Sequence, residues 1–205
     1  MDQIFLGFLI LFGWFASFAK AAHMQCSNNM NHGSHSCIFS GTGSMKCWGR
    51  NDFGQLGYGD TNNRGDGGGE MGNNLDVVNL GTVVFVSGGE VHTCVILDDG
   101  ITKCFGYNFY GNLGYGDIDS RGDGGNEMGS YLDVQNLGTG RTASQISSGK
   151  YFNCVLLDDE SGVCWGNNNF GQLGRGQLGL GPFGDEANEM GDNLIAVNWF
   201  DYCRV

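Results

Sequence analysis

The sequence predicts an all-β protein made of about three tandem repeats, each held together by its own disulfide. Three observations predict this fold class: a very high glycine content, a repeated cysteine spacing, and β-prone runs around Asp-Gly turns. The 205 residues include 38 glycines, eight cysteines and one proline, a composition typical of many tight turns. Apolar residues make up 40% of the chain, which is enough to bury a core.

The repeat is visible first in the cysteines. Six of them form three pairs with a spacing of ten residues, and the pairs recur after 57 and then 60 residues: Cys37 and Cys47, Cys94 and Cys104, Cys154 and Cys164. After each pair come an aromatic-Gly dipeptide and a Gly-Gln/Asn-Leu-Gly turn, at 48–57, 105–114 and 165–174. Three copies indicate tandem duplication, with repeats at about 26–82, 83–142 and 143–205.

Each repeat is predicted to contain a β-hairpin preceded by another strand. In the second repeat two β-prone runs, 92–97 and 101–105, flank Asp98-Asp99-Gly100, which is a hairpin pattern. Cys94 and Cys104 then lie near opposite positions, close enough for a disulfide. Further β-prone runs precede the hairpins at 82–87 and 142–147. We therefore expect every cysteine pair to close its own hairpin.

Repeats of this size must stack to bury both faces of their sheets, as the blades of a β-propeller do. The pattern of a hairpin, Trp-Gly-x-Asn and Gly-Gln-Leu-Gly-x-Gly, at 48–59, 105–116 and 165–176, resembles the RCC1-like repeat family. That family also includes secreted bacterial β-lactamase-inhibitor proteins. The resemblance implies a propeller, usually of seven blades, whose surfaces bind proteins. Three repeats predict a partial propeller, which a homo-oligomer could complete.

The family's eponymous member acts on a small GTPase and binds chromatin, but this chain differs in its N-terminus, cysteines and charge. An apolar run from Ile4 to Ala19 is followed by Lys20-Ala21-Ala22, which predicts a signal peptide at 1–21. The repeat domain then spans 22–205. We expect a secreted protein, the alternative being an uncleaved membrane anchor. Export favours disulfides as the state of the cysteines.

The two remaining cysteines are predicted to mark the ends of the repeat array. Cys26 precedes Cys37 by the same eleven residues that separate Val83 from Cys94, so it aligns with a strand position. Cys203 aligns with Val84 of the second repeat. The two either pair with each other or link chains, unless the sequence is a fragment, in which case both are free thiols.

The net charge of −12, from ten basic and 22 acidic residues, argues against a nucleic-acid partner, because phosphate binding depends on Lys and Arg. It favours a basic partner or cations, although an acidic surface also serves solubility alone.

Three other patterns have both a functional and a structural interpretation. Arg-Gly-Asp at 64–66 and 121–123 could be an adhesion motif, but its recurrence favours a turn. Acidic residues in the following loops could bind calcium: Asp60, Asp66 and Glu70, and Asp117, Asp119, Asp123 and Glu127. Cys26, His32, His35 and Cys37 could bind zinc, although a disulfide at Cys37 is favoured. We predict no metal site and no cofactor.

No catalytic residues are predicted, because no nucleophile with a base and no phosphate-binding loop stands out, and no small-molecule substrate is evident. The aromatics Trp48, Phe105 and Trp165 fit a core between blades better than a carbohydrate platform. His92 is a variable strand position. The sequence thus predicts a non-catalytic extracellular module that binds a protein. The alternatives are a structural coat or matrix component, and an enzyme whose site would include the non-repeated stretch 177–186.

Overall fold

The computed structural model describes the backbone of residues 23–26, and residues 35–176 and 181–197 in full. Within these ranges the chain forms nine strands and two three-residue 3-10 helices, Gly72–Asn74 and Gly191–Asn193. Neither helix has the length or apolar character to cross a membrane. The strands are β1 His23–Cys26, β2 His35–Phe39, β3 Met45–Gly49, β4 Val83–Gly88, β5 His92–Leu97, β6 Thr102–Gly106, β7 Ala143–Ser148, β8 Phe152–Leu157 and β9 Gly162–Gly166.

The strands form three antiparallel sheets of three, β1-β2-β3, β4-β5-β6 and β7-β8-β9, which we call blades 1, 2 and 3. The first strands of the blades are neighbours, since β4 contacts both β1 and β7. Two buried apolar clusters fill the spaces between the sheets. One combines residues of blades 1 and 2, and the other combines residues of blades 2 and 3. The prediction of an all-β partial propeller is therefore confirmed.

Each predicted hairpin contains its disulfide. In blade 2 Cys94 lies directly opposite Cys104 in the register of β5 and β6, and their Cα atoms are 4.1 Å apart. The other two bonds, Cys37–Cys47 and Cys154–Cys164, occupy the same place. Closing a loop of ten residues in the unfolded chain stabilises the fold by about 2–3 kcal/mol for each bond.

The predicted alignment of Cys26 is wrong by five positions. Cys26 lies on β1 but faces Ser36 of β2, the position at which blade 2 pairs Gly88 with Thr93. Cys26 therefore corresponds to Gly88 and not to Val83, because the connection after β1 is longer than the one after β4. Cys203 and the predicted signal peptide lie outside the described residues, so the pairing of Cys26 with Cys203 stays a prediction.

Adjacent blades are joined through the Gly-Gln/Asn-Leu-Gly turn, whose carbonyl groups accept hydrogen bonds from the next blade. Thr93 Oγ1 donates to the Gln55 carbonyl at 2.8 Å. In the next boundary Asn153 Nδ2 donates to the Asn112 carbonyl at 2.6 Å, and Trp165 Nε1 donates to the same oxygen at 3.1 Å. These donors and acceptors are buried, so each bond satisfies groups that would otherwise be costly to remove from water.

The turn itself is shaped by a buried asparagine that recurs in every blade. Asn51 Oδ1 accepts a hydrogen bond from the Leu56 amide at 2.9 Å, while its Nδ2 donates to the Asp60 carbonyl at 2.7 Å. Asn108 makes the same two contacts. The side chain thus closes the turn from inside, with hydrogen bonds that belong to a single repeat.

The last glycine of the turn lies against the large aromatic residue of the next blade. Gly57 and Gly114 have φ angles of +76° and +73°, a region that favours glycine. A Cβ at Gly57 would lie 2.7 Å from the Phe105 ring, and one at Gly114 would lie 2.6 Å from Trp165 Nε1. Phe105 and Trp165 are completely buried, so the ring has little room to move away.

Gly114→Ala is expected to destabilise the fold by about 2–4 kcal/mol, from the positive φ and from overpacking against Trp165. The matched control is Gly140→Ala, because Gly140 has φ +71° but nothing within 4 Å of the added Cβ. It should cost only about 1 kcal/mol. Denaturant unfolding of both variants measures the difference, and equal losses would contradict a close inter-blade contact at Gly114.

Candidate interaction surface

Five aromatic side chains form a continuous surface at one end of the blades, which we call the aromatic rim. Its rings contact one another in a chain, and its members are Phe53, Tyr107, Phe109, Tyr110 and Tyr151. The ring centroids of Phe53 and Tyr107 are 4.9 Å apart, and those of Tyr110 and Tyr151 are 5.0 Å apart. Phe109 is 57% exposed. The other four side chains are partly exposed.

The rim belongs to the blade ends opposite the Asp-Gly hairpin turns. Phe53 follows β3, Tyr107 to Tyr110 follow β6, and Tyr151 immediately precedes β8. The backbone holds these connections together, since the Tyr107 amide donates to the Val91 carbonyl at 2.9 Å. The rings are therefore carried on short segments fixed at strand ends, which limits the entropy lost when a partner binds.

A cavity of about 240 Å³ opens in the rim. Three of its walls are the rings of Phe53, Tyr107 and Tyr151, and its polar lining includes Glu90 and Lys150. The Glu90 side chain is only 2% exposed, and Lys150 Nζ lies 3.1 Å from its Oε2. This cavity is the one place where the rim combines apolar rings with a buried charge in the described part of the chain.

The rim could not be predicted from the repeat pattern alone, because Tyr107, Phe109 and Tyr151 depart from that pattern, although Phe53 and Tyr110 share a position that is aromatic in every repeat. Tyr107 corresponds to Arg50 and Asn167, and Phe109 corresponds to Asp52 and Asn169. The signal that could have found it is the set of positions where one repeat differs from the other two. A search for periodicity discards that set.

Similar departures occur in the loops that precede β5 and β8. Lys150 occupies the place of Glu90, and Tyr151 the place of Val91. Two repeat-equivalent positions in adjacent blades thus carry opposite charges and lie side by side, with the Glu90 amide 3.4 Å from the Lys150 carbonyl.

The Arg-Gly-Asp triplets form turns, as the recurrence indicated. Arg64 is held by Asp60, whose Oδ2 lies 2.7 Å from Nη2, and its guanidinium lies 4.9 Å from the centroid of the Tyr58 ring. The amides of Gly65 and Gly67 both donate to Glu70 Oε2. Glu70, which begins the sequence Glu-Met-Gly at 70–72, therefore supplies the carboxylate that closes this turn, and Arg64 contacts residues of its own repeat.

Blade 3 keeps the cation–π contact of this turn but exchanges the two partners. Where blade 2 places Arg121 over Tyr115, at 4.5 Å from the ring centroid, blade 3 has Arg175 in the tyrosine position. Its guanidinium lies 3.7 Å from the centroid of the Phe183 ring. Phe183 belongs to the stretch 177–186 that departs most from the repeat, and this compensation explains part of that departure.

The acidic residues considered for calcium have other partners. Asp117 accepts from Arg121 at 2.7 Å, and Glu127 accepts from the amides of Gly122 to Gly124. Partial burial and the neighbouring Glu127 raise the pKa of Asp123. Among the described residues no group of three or more His, Cys, Asp or Glu side chains is placed to hold a metal ion. For the zinc alternative, Cys37 is bonded to Cys47.

The two histidines whose side chains the structure describes link adjacent blades. His35 Nε2 donates to Thr93 Oγ1 at 2.8 Å, and His92 Nε2 donates to Asn153 Oδ1 at 3.1 Å. Both rings are almost completely buried. Burial lowers the pKa of each to about 4, so both are neutral at physiological pH. The prediction that Trp48, Phe105 and Trp165 serve the core fits the last two, whereas Trp48 is only partly buried.

Comparisons with known proteins agree with this architecture. Human WBSCR16 superposes with a TM-score of 0.55 at 18% identity, covering 86% of this chain and 39% of WBSCR16. Prp20p from Saccharomyces cerevisiae gives a TM-score of 0.57 at 16% identity, over 83% and 38% of the two chains. The profile of the Regulator of chromosome condensation (RCC1) repeat matches residues 33–55 and 143–172. RCC1-type repeats are therefore present in this chain, and its fold is that of the RCC1-like propellers.

Among curated sequences, the RCC1-like repeats align with the probable E3 ubiquitin-protein ligase HERC4 of Rattus norvegicus. The identity is 28% over 170 residues, which cover 83% of this chain and 14% of HERC4. The chain therefore spans only a small part of the length of the curated relatives it matches.

The buried histidines predict a fold that weakens in mild acid. Their pKa values are lower in the folded state than the ordinary 6.5, so the unfolded chain binds more protons between pH 6.5 and about 4. Their contribution to stability is complete above pH 6.5 and falls with decreasing pH, by up to ~1.4 kcal/mol per pH unit for each histidine.

His92→Gln should remove one histidine's share of this slope, measured by denaturant unfolding at pH 4.5 to 7. Comparison with wild type is needed because Asp185, whose pKa burial raises to about 6, contributes the opposite slope in the same window. Equal slopes for the two proteins would show that His92 does not titrate as its burial requires.

Proposed function

We propose that this chain is an extracellular, non-catalytic module that binds a protein partner through the aromatic rim. The observation that carries the proposal is the rim itself, five contacting aromatic residues at the surface of a rigid β-framework. Tyrosine and phenylalanine are enriched in the centres of protein interfaces, because they bury a large area at a small entropic cost. A contiguous exposed aromatic patch on a chain of this charge favours an interaction site over a solvated surface.

The family supports a binding role. Prp20p of Saccharomyces cerevisiae has binding properties to Gsp1p and histones, and Kap60 is bound to yeast RCC1 (Prp20) in another crystal structure. These partners belong to Prp20p. For the present chain they support only the idea that RCC1-like blades serve as a frame for protein recognition.

The extracellular part of the proposal is supported by the disulfides. All six cysteines of the described hairpins are bonded, and such bonds persist in oxidising compartments. The apolar run at 4–19 followed by Ala21 and Ala22 supplies the matching export signal.

The rim is tested by selecting ligands from a displayed random-peptide library on the wild-type protein. Peptides that bind the rim should lose affinity by about tenfold with Phe109→Ala, because truncating an interface aromatic costs at least ~1.4 kcal/mol. The matched control is Ile118→Ala, since Ile118 is 52% exposed and lies in an outer loop. Selected peptides that bind both variants and the wild type equally would place the interface elsewhere.

Export is tested by expressing the full chain in secretion-competent cells. We expect the protein in the medium, with a mature N-terminus at Ala22 and with oxidised hairpins, and we expect retention inside the cells when residues 4–19 are deleted. Accumulation of the full chain in the membrane fraction would favour the uncleaved anchor instead.

A further inference from the structure

The cavity in the aromatic rim has a buried carboxylate in its wall. Glu90 is 3% exposed as a residue and 2% exposed as a side chain, although it lies in the loop that joins β4 to β5. A carboxylate removed from water is costly unless a cation or several hydrogen-bond donors compensate it. The kind of ligand that this cavity binds therefore depends on which positive group neutralises the Glu90 carboxylate.

The balancing cation is Lys150, which contacts Glu90 from a half-exposed position. Lys150 Nζ lies 3.1 Å from Glu90 Oε2, while its own side chain is 53% exposed. Oε2 receives no well-aligned hydrogen bond within the described part of the chain. Because the lysine is itself half exposed, an incoming cation can approach from solvent and take its place, so that the buried carboxylate stays neutralised throughout the exchange.

The remaining walls of the cavity also suit a cation. The rings of Phe53 and Tyr107 have centroids 4.9 Å apart, and those of Tyr107 and Tyr151 are 6.0 Å apart. Lys150 Nζ already lies 5.2 Å from the centroid of the Tyr151 ring. Aromatic faces attract ammonium and guanidinium groups within about 6 Å.

The cavity has a second positive group at its edge. Arg50 lines the cavity and forms an ion pair with Asp52, so its charge is largely offset by its own neighbour. The buried carboxylate remains the group toward which an incoming cation would be drawn.

The differences between repeats at these positions favour a ligand site over a purely structural ion pair. Glu90 and Lys150 differ in charge at repeat-equivalent positions, Tyr151 replaces Val91, and Tyr107 replaces Arg50. The glycine and leucine of the turn, which pack against the next blade, recur in every repeat. The stacking of blades does not require that several residues which differ from their repeat equivalents line one cavity.

We propose that this cavity binds an alkylammonium or guanidinium side chain presented by a basic segment of the partner, with Lys150 as the resident cation that the ligand displaces. The inference rests on the proposed function and names the chemistry by which the rim recognises its partner. The net charge of −12 fits this chemistry, because it attracts basic partners and accelerates their association.

The direct test is titration of the whole protein with the peptide acetyl-Gly-Lys-Gly-amide, followed by NMR of the tyrosine ring protons. The expected result is a saturable shift of the Tyr107 and Tyr151 rings. The control peptide carries norleucine in place of lysine, which keeps the alkyl chain and removes the charge. Equal shifts with both peptides would overturn the proposal.

Two variants alter the charge of the site. Glu90→Gln should weaken binding of the lysine peptide by about fivefold or more, through loss of a charge-assisted contact, and Lys150→Gln should strengthen it by removing the competing cation. Glu160→Gln is the matched control, because it removes the same charge from the exposed β8–β9 turn and should leave binding unchanged. Equal affinities for all three variants and wild type, or weaker binding to Lys150→Gln, would contradict the proposal.

A third variant alters the site with a substitution that is expected to preserve folding. Tyr107→Asn introduces the residue that the third repeat carries at the same position, Asn167, and should weaken cation binding while the melting curve stays cooperative. The two proposals fail separately. If the lysine peptide does not bind but library peptides still require Phe109, the rim is an interface without a cation subsite. If neither ligand is affected by any rim variant, the proposed function itself is wrong.

Discussion

The structure depends on one contact that is made at every blade boundary, the burial of a glycine-rich turn against the next blade. The turn contributes a carbonyl, a leucine and a glycine. In the next blade these contact a polar side chain, an apolar pocket and a flat aromatic ring, respectively. Leu56 and Leu113 are completely buried in this way. Because a three-stranded sheet cannot bury both of its faces alone, this contact is what converts three hairpins into one folded unit.

The demand for that contact explains which parts of the fold could be predicted from the sequence. Residues that form the contact must recur, so the hairpins, the disulfides and the turn could all be found from periodicity. Cys26 could not be placed, because the register of β1 depends on the length of one connection, and that length differs from the other repeats. Arg175 and Phe183 were also hidden, since a cation and a ring that exchange places no longer match their equivalents by residue type.

The candidate site could not be found from the periodicity of the sequence, for the opposite reason. Several repeat-equivalent positions on the rim carry different residues, such as Arg50, Tyr107 and Asn167, because the turn and the strands below them already define the backbone. Freedom from structural demand lets a surface specialise. The cavity could be found only in the three-dimensional structure, since Glu90 and Phe53 lie in different repeats and only the stacking of blades brings them together.

The disulfides have a consequence for how the protein responds to force. Each described bond closes a loop inside a single hairpin, so among the residues described no covalent crosslink passes from one blade to the next. A pull along the chain would peel blades apart one by one while the hairpins stayed closed. The stretch from Cys47 to Cys94 alone could reach roughly 160 Å when extended. Under tension such a chain would lengthen in steps, and its blades could stack again without any redox chemistry because the hairpins remain closed.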